Sequence, residues 1–314
     1  MSAPLGLFHP AGPSAQQIAP LLWGLIWLSI LVVVLIILAL GLALISRGRG
    51  RADPLRVVTE ESRRGLRWIY GATGASVLVL LVLVGWTWET MASTSSPPAP
   101  TAFTVDVSGA QWWWRFTYEP QNGTPGFATA NELHIPVGVP VRFRISAEDV
   151  IHSFWIPALG GKTDAIPGQV NDAWLEADKP GTYSGQCSEY CGQEHAEMAL
   201  LVVAEPQASF DAWRAHQTAT AAPELGATGE AVFVQNCGRC HTVRGTAATG
   251  MMGPDLTHLM SRSTIAAGML TNSRGNLAGW IANPNGIKPG AKMPAVLLSG
   301  PQLQAVLTYL STLT

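Results

Sequence analysis

Two short stretches concentrate the residues that bind metals and cofactors. In Gly185-Gln-Cys-Ser-Glu-Tyr-Cys-Gly-Gln-Glu-His-Ala-Glu-Met198, the side chains of Cys187, Cys191, His195 and Met198 supply two thiols, an imidazole and a thioether within twelve residues. Soft sulfur ligands with imidazole suit copper. In Cys237-Gly-Arg-Cys240-His241, two thiols are followed directly by a histidine, the spacing of a c-type haem attachment. These are all four cysteines of the chain. Both motifs imply one-electron chemistry, so the chain reads as an electron relay.

The first cluster cannot be one stripe of a regular helix, because Gly192 interrupts it. It reads as a ligand loop between two strands, folding its side chains back toward one point. A second histidine must come from elsewhere, and His152 in Asp149-Val-Ile-His-Ser-Phe-Trp155 is the natural candidate, on a strand expected beside the loop. Two thiolates with two imidazoles fit a pair of coppers bridged by both sulfurs. Two alternatives remain open on residue types alone: a Cys187–Cys191 disulfide and a zinc site. Neither needs Met198.

The second motif would hold haem through Cys237 and Cys240, with His241 as the proximal iron ligand. A lone Cys-x-x-Cys-His can also be accidental or bind zinc. The sixth ligand should be a Met or His farther along the chain. Met251, Met252, His258, Met260, Met269 and Met293 are the candidates.

The elements that must position these groups follow from hydropathy and periodicity. Leu21–Ile45 and Ile69–Trp88 carry no charge over 25 and 20 residues, enough for each to cross a membrane as a helix. Residues 1–20 contain no Lys or Arg, unlike the basic start of a signal peptide. Between the two runs lie Arg47, Arg49, Arg51, Arg56, Arg63, Arg64 and Arg67. Positive loops stay in the cytoplasm, so both termini are expected outside the cytoplasm. The reading is an extracytoplasmic segment 1–20 and a transmembrane hairpin 21–90. The hairpin has helices at about 21–45 and 69–88 and a cytoplasmic loop 46–68.

Residues 91–102 read as a linker rich in Ser, Thr and Pro. Over 103–205 short runs recur between Gly/Pro turns, and Val141, Phe143 and Ile145 alternate with Arg142, Arg144 and Ser146. That period of two predicts an all-β barrel or sandwich. Residues 206–226 read as a second linker, with Phe210-Asp-Ala-Trp-Arg at its start as a short helical stretch. From 227 to the end the pattern is helical, as in Leu303, Val306, Leu307 and Leu310 after Pro301.

Net charge is −2 overall, but its distribution is uneven. Residues 101–205 hold 5 Lys/Arg against 13 Asp/Glu, a formal −8, and residues 225–314 hold 6 against 2, a formal +4. An acidic β module and a basic helical module should attract each other, and the linker would make their encounter intramolecular. Ordinary solubility charge is the alternative. Nothing in the balance points to nucleic acid.

The runs His152-Ser-Phe-Trp-Ile-Pro, Lys162-Thr-Asp-Ala-Ile-Pro-Gly168 and Gly185-Gln-Cys-Ser-Glu-Tyr-Cys-Gly192 resemble subunit II of cytochrome c oxidase. The resemblance runs over roughly residues 20–205. It implies a two-helix transmembrane hairpin and an all-β cupredoxin-like barrel holding the binuclear copper centre CuA. By position, His152, Cys187, Cys191, His195 and Met198 would be its side-chain ligands, and Glu189 would offer its backbone carbonyl. The Glu189 carboxylate would also bind a Mg²⁺ shared with subunit I. In Gln111-Trp-Trp-Trp-Arg-Phe116, Trp112 matches the family's electron relay, and Trp113 and Trp114 read as core or interface residues. Gln169 stands where the family usually has Arg. Glu60 and Glu61 lie near the second helix without matching the family's surroundings there.

Residues 226–314 resemble class I cytochrome c, an all-α domain. Trp280 to Pro294 is similar to its axial-ligand loop, making Met293 the sixth ligand, and Pro254 would accept a hydrogen bond from His241 Nδ1. Together the resemblances imply subunit II of a haem–copper oxidase with a fused cytochrome c domain, in a bacterial cytoplasmic membrane. It would be the electron-accepting part of a proton-pumping enzyme and would contain no oxygen site of its own. Expected partners are oxidase subunit I, subunit III, and a donor that is a cytochrome c or a quinol-oxidising complex. The alternatives are the electron-input subunit of a CuA-containing nitric oxide reductase and a membrane-anchored electron carrier.

Overall fold

The computed structural model describes residues 5–47, 63–121, 123–221 and 227–314. They form two compact units: Gln16–Ser96, and the N-terminal segment through Ala15 together with Pro97–Thr314. Residues 48–62, which carry Glu60, Glu61 and much of the arginine cluster, lie outside the described residues.

The first unit is built from helices α1 (Pro13–Arg47) and α2 (Arg63–Thr94). Their side chains are apolar around the whole circumference, and Leu44, Leu42 and Val84 are exposed. A helix of that kind needs lipid or a protein core around it. Both helices are long and apolar enough to cross a membrane. Each extends beyond its uncharged run, because hydropathy marks only the lipid-facing part while backbone hydrogen bonding carries the helix onward.

The second unit starts with a β domain. Its strands are β1 (Thr104–Ala110), β2 (Trp113–Tyr118), β3 (Phe127–Ala130), β4 (Glu132–Pro136) and β5 (Val141–Ala147). There follow β6 (His152–Trp155), β7 (Thr163–Ala165), β8 (Asn171–Leu175), β9 (Gly181–Cys187) and β10 (Ala199–Glu205). One sheet has the order β3-β2-β1-β5-β8 and the other β4-β10-β9-β6-β7. Each sheet contains one parallel pair, β1 with β5 and β4 with β10, so strands cross between the sheets in a cupredoxin-like arrangement. The alternation is visible in β2, where Trp114, Phe116 and Tyr118 are buried and Trp113, Arg115 and Thr117 are not. The inward residues of both sheets merge into one core that also takes in Cys187, Cys191 and Met198.

The N-terminal segment is clipped to this domain. Ala11 N donates to Ala158 O at 2.7 Å, and Asp178 N donates to Ala11 O at 2.8 Å. The stretch read as a linker over 206–226 is different in the structure. Residues Gln207–Thr218 form helix α3, whose Phe210 is buried and stacks on Phe103 at 5.3 Å. Trp213 of α3 stacks on His134 at 4.1 Å. The amphipathic spacing of Phe210 and Trp213 explains the difference: these two rings bury only if the segment is a helix lying on the barrel.

The helical module contains α4 (Ala227–Asn236), α5 (Arg274–Ala282), α6 (Pro284–Ile287) and α7 (Gly300–Leu310). Ser299 and Gln302 close α7 with a reciprocal capping box, and Asn283 caps α6. Phe233, Leu277, Ile281, Val306, Leu307 and Leu310 form a second core.

Phe210→Ala should destabilise the β domain by about 3–5 kcal/mol, the usual cost of emptying a buried aromatic site. Urea unfolding followed by tryptophan fluorescence would measure it. An unchanged midpoint would mean that 207–218 behaves as a tether.

Candidate metal centres

The end of β9, the loop after it and β6 converge on one point. β6 pairs with β9 so that Phe154 faces Cys187, which brings His152 to the loop from 35 residues earlier. The Cys187 and Cys191 sulfurs lie 3.8 Å apart, both as free thiols. A disulfide needs about 2.05 Å. His152 Nδ1 is 3.9 Å from Cys187 Sγ, and His195 Nδ1 is 3.5 Å from Cys191 Sγ. Met198 Sδ stands 3.9 Å from Cys191 Sγ, and the Glu189 carbonyl 3.3 Å from Cys187 Sγ. The four other donors named from the sequence therefore surround the two sulfurs. Each sulfur has its own imidazole and one weaker donor. That symmetry fits a sulfur-bridged metal pair better than a single tetrahedral zinc, which would use only four ligands.

Electrostatics within the cluster favour a cation. Cys191 Sγ, His152 and backbone groups of Glu189 and Ser153 hold the Cys187 thiol far below the usual range, against the opposing effect of burial. Cys191 is pushed up by its neighbour Cys187 and by burial. The cause is common to both: two negative sulfurs at this distance repel, so the pair keeps one proton until a cation replaces it.

His152 is fully buried, and its orientation is fixed from behind. Its Nε2 lies 2.9 Å from Asp149 Oδ1, so the Nε2–H donates there and the Nδ1 lone pair faces the sulfurs. Burial works against charging His152, but its hydrogen bonds to Cys187 and Asp149 outweigh that and raise its pKa. Burial likewise opposes charge on Asp149. Lys292, His152 and the backbone N–H groups of Gln111 and Val150 nevertheless hold it well below the usual carboxylate range. Gly109 of β1 leaves room for the ring: a Cβ there would come within 2.9 Å of His152 Cδ2.

The Glu189 carboxylate is half exposed and pairs with Lys162 Nζ at 3.3 Å. Among the described residues it belongs to no cluster of metal donors; that cluster consists of His152, Cys187 and Cys191.

The second centre is a cavity of about 480 Å³ between the helical module and the β domain, lined by residues of both. Cys237 and Cys240 follow α4 in a further turn, with Cys240 N and His241 N both donating to Cys237 O at 3.0 Å. Cys237, Cys240, His241 and Met293 line the cavity along with Phe233, Leu277, Trp280 and Ile281. The volume and the apolar walls suit a cofactor site. His241 Nδ1 lies 2.8 Å from Pro254 O, which leaves Nε2 as the free lone pair. Burial lowers the pKa of this imidazole, against the opposing hydrogen bond to Pro254. Gly253 packs face-on against the ring, where a Cβ would be 2.6 Å from His241 Cε1. Of the other candidates, Met251 and Met252 are exposed, and Met252 also lines the cavity. Met260 packs in the module's core. His258 is engaged at both ring nitrogens by the carbonyls of Thr314 and Ala219.

The two centres meet at Trp112. Its Nε1 donates to Cys191 O at 3.1 Å, beside a 2.7 Å bond from Gln111 Nε2 to the same oxygen. The indole lies between Gly192 of the copper loop and Gly290 of the Met293 loop. A Cβ on either glycine would stand 3.1 or 3.3 Å from it. Trp114 is core, whereas Trp113 lines the haem-side cavity, with Arg115 lying 5.0 Å from the centre of its ring. Asp149, Lys288 and Lys292 were not singled out from the sequence. Their signal was weak: they stand inside the motif segments, but their partners are set only by the packing of distant segments.

Residues 121–205 match the family described as cytochrome c oxidase subunit II, periplasmic domain, and residues 226–314 match the cytochrome c family. The chain is similar to cytochrome c oxidase subunit 2 of Alkalihalophilus pseudofirmus, with 41% identity over 67% of this chain and 60% of that one. It is 31% identical to the same protein of Bacillus subtilis over 76% of this chain and 70% of the relative. It spans about 60% of the length of the first of these relatives. Among solved structures, the periplasmic domain of subunit II of cytochrome oxidase of Bradyrhizobium japonicum matches with 32% identity. That match covers 38% of this chain and 95% of the other, with a TM-score of 0.36.

Two substitutions test the supports behind the ligands. Gly109→Ala should leave copper content intact but change the copper hyperfine pattern in EPR by displacing His152. Gly253→Ala should displace His241 and alter the reduced haem spectrum, while the covalent haem stain in a denaturing gel persists.

Proposed function

Because the chain belongs to the cytochrome c oxidase subunit II family, we propose that it is the electron-accepting subunit of a haem–copper oxidase, with a cytochrome c domain fused at its C-terminus. The observation that carries this reading is the meeting of two differently built redox sites in one compact unit, with Trp112 in contact with the copper loop on one side and the Met293 loop on the other.

The module over 103–205 would hold CuA and the module over 227–314 haem c. Cys237, Cys240, His241 and Met293 would hold the haem. Cys187, Cys191, His152, His195, Met198 and the Glu189 carbonyl would hold the copper centre. When bound, these groups supply one-electron carriers between a cytochrome c or quinol-oxidising donor and the oxygen-reducing centre of subunit I in a proton-pumping complex. The chain's own residues set up that transfer. Asp149 fixes the His152 tautomer, Pro254 fixes that of His241, and the Trp112 ring packs between the two loops. A Mg²⁺ at the Glu189 carboxylate would have to displace Lys162 and take its remaining ligands from subunit I.

The helical hairpin would anchor the chain in the cytoplasmic membrane, with both termini outside the cytoplasm. Two spans return a chain to its starting side. The bonds from Ala11 to Ala158 and Asp178, which tie the N-terminal segment to the copper module, agree with that topology.

The purified chain should contain two coppers and one haem, with a mixed-valence near-infrared band and a multi-line copper EPR signal. One copper per chain, or none, would sink the binuclear reading. Met293→Ala should abolish the Met–iron charge-transfer band, and a retained band would move the sixth ligand elsewhere.

A further inference from the structure

The contact between the haem module and the copper module contains a lysine in an unusual setting. Lys288, at the end of α6, is only 3% exposed. Among the described residues, its Nζ faces no carboxylate within salt-bridge distance. It donates to three backbone carbonyls: Glu197 O at 2.6 Å, Trp112 O at 2.9 Å and Ala266 O at 3.5 Å. The first belongs to the copper ligand loop, next to Met198. The second belongs to the residue whose ring touches both loops. The third lies in the haem module itself. A compact ammonium with three donors thus joins the copper loop, Trp112 and the haem module at one point.

The backbone around it is equally committed. Ala266 and Ala267 both adopt left-handed conformations, with φ of 55° and 58°. Alanine seldom adopts this conformation unless its surroundings enforce it. Ala266 O meets Lys288, and Ala267 O accepts from Ala199 N of β10 at 3.2 Å. Other bonds across the contact run from Ser263 Oγ to Glu132 Oε2 at 2.6 Å and from Arg115 to Met251 O at 2.6 Å. An exposed ion pair, Lys292 with Asp149 at 2.7 Å, completes the edge. General attraction between an acidic and a basic surface would leave exchangeable surface pairs. It does not require a buried cation bound to main-chain oxygens, whose positions are fixed by the fold.

We propose that Lys288 is a positioning residue that locks the Met293 loop against Trp112 and the copper loop. On this proposal, haem-to-copper transfer occurs in one fixed complex and not by repeated encounters of tethered modules. The proposal rests on the electron-relay reading above. Its physical core is that hydrogen bonds out of reach of solvent are hardly screened by salt, whereas surface attraction is. Removing the ammonium would leave three carbonyls at a buried contact without this donor, and water or a shifted register would have to replace it.

The test uses the full-length chain in detergent, loaded with haem and copper. The haem is reduced by a light flash, and its reoxidation by copper is timed from low salt to about 0.5 M, where surface charges are screened within a few ångströms. The native chain should show a single phase that does not depend on salt. Lys288→Met should slow it by about ten- to a hundredfold, the scale of a small misplacement of reacting groups, and should make it salt-dependent. Lys288→Arg keeps the charge but not the compact head, and should not restore the native phase. Hydrogen exchange on the metal-free chain gives an independent readout: amides of 285–291 and 192–198 should lose protection in Lys288→Met. A Lys288→Met chain with native spectra, native exchange and a native salt-independent rate overturns the proposal. If Lys288→Met does not fold, Lys288→Arg with those native properties overturns it equally. Missing metals or no transfer in the native chain would instead count against the functional reading.

Discussion

The two sulfurs of Cys187 and Cys191, held 3.8 Å apart in the wall of a packed β core, are the constraint on which the rest depends. At that distance they do not bond to each other, and two thiolates so close repel. A retained proton or a bound cation relieves the repulsion. Holding them there requires rigid neighbours, and the barrel provides these. Cys187 is the last residue of β9, tied through β6 to His152, and Met198 lies fully buried at the other end of the loop. Asp149 and Gly109 then set the His152 ring, one by a hydrogen bond and the other by leaving space. The β domain is thus less a container than a means of keeping donors from relaxing.

The haem module follows the same logic with different parts. Covalent attachment needs two thiols on one turn after α4, and axial ligation needs a neutral, oriented imidazole. Burial favours the neutral form, and the Pro254 carbonyl sets the orientation. The Met293 loop serves two surfaces at once. Its inner side closes the cavity, while its outer residues Lys288, Gly290 and Lys292 meet the copper module. A single loop therefore couples the shape of the cavity to the geometry of the contact between the two modules.

Much of this was legible in the chain itself. The uncharged runs located α1 and α2, and period-two alternation located β5. The Cys, His and Met spacings named the donors later found around the sulfurs and the cavity. Other features were not legible. Helix α3 was read only as a short helical start to a linker, since its Ala- and Thr-rich continuation hid the fact that Phe210 and Trp213 would meet Phe103 and His134. Trp113 and Trp114 looked alike in a run of three, yet β2 turns one into the core and the other to the haem side. The charge imbalance between the modules was visible, but it suggested loose attraction and gave no sign of a buried lysine bound to carbonyls.

The sequence by itself determined which atoms could bind metal and on which elements they would lie, because ligand chemistry and hydropathy are properties of residue types and their spacing. The tertiary structure decided which donors face each other, how their tautomers are fixed and how the two centres touch. Those depend on main-chain carbonyls, on ring orientations and on the absence of a Cβ at Gly109 and Gly253, none of which has a distance until distant segments are packed together.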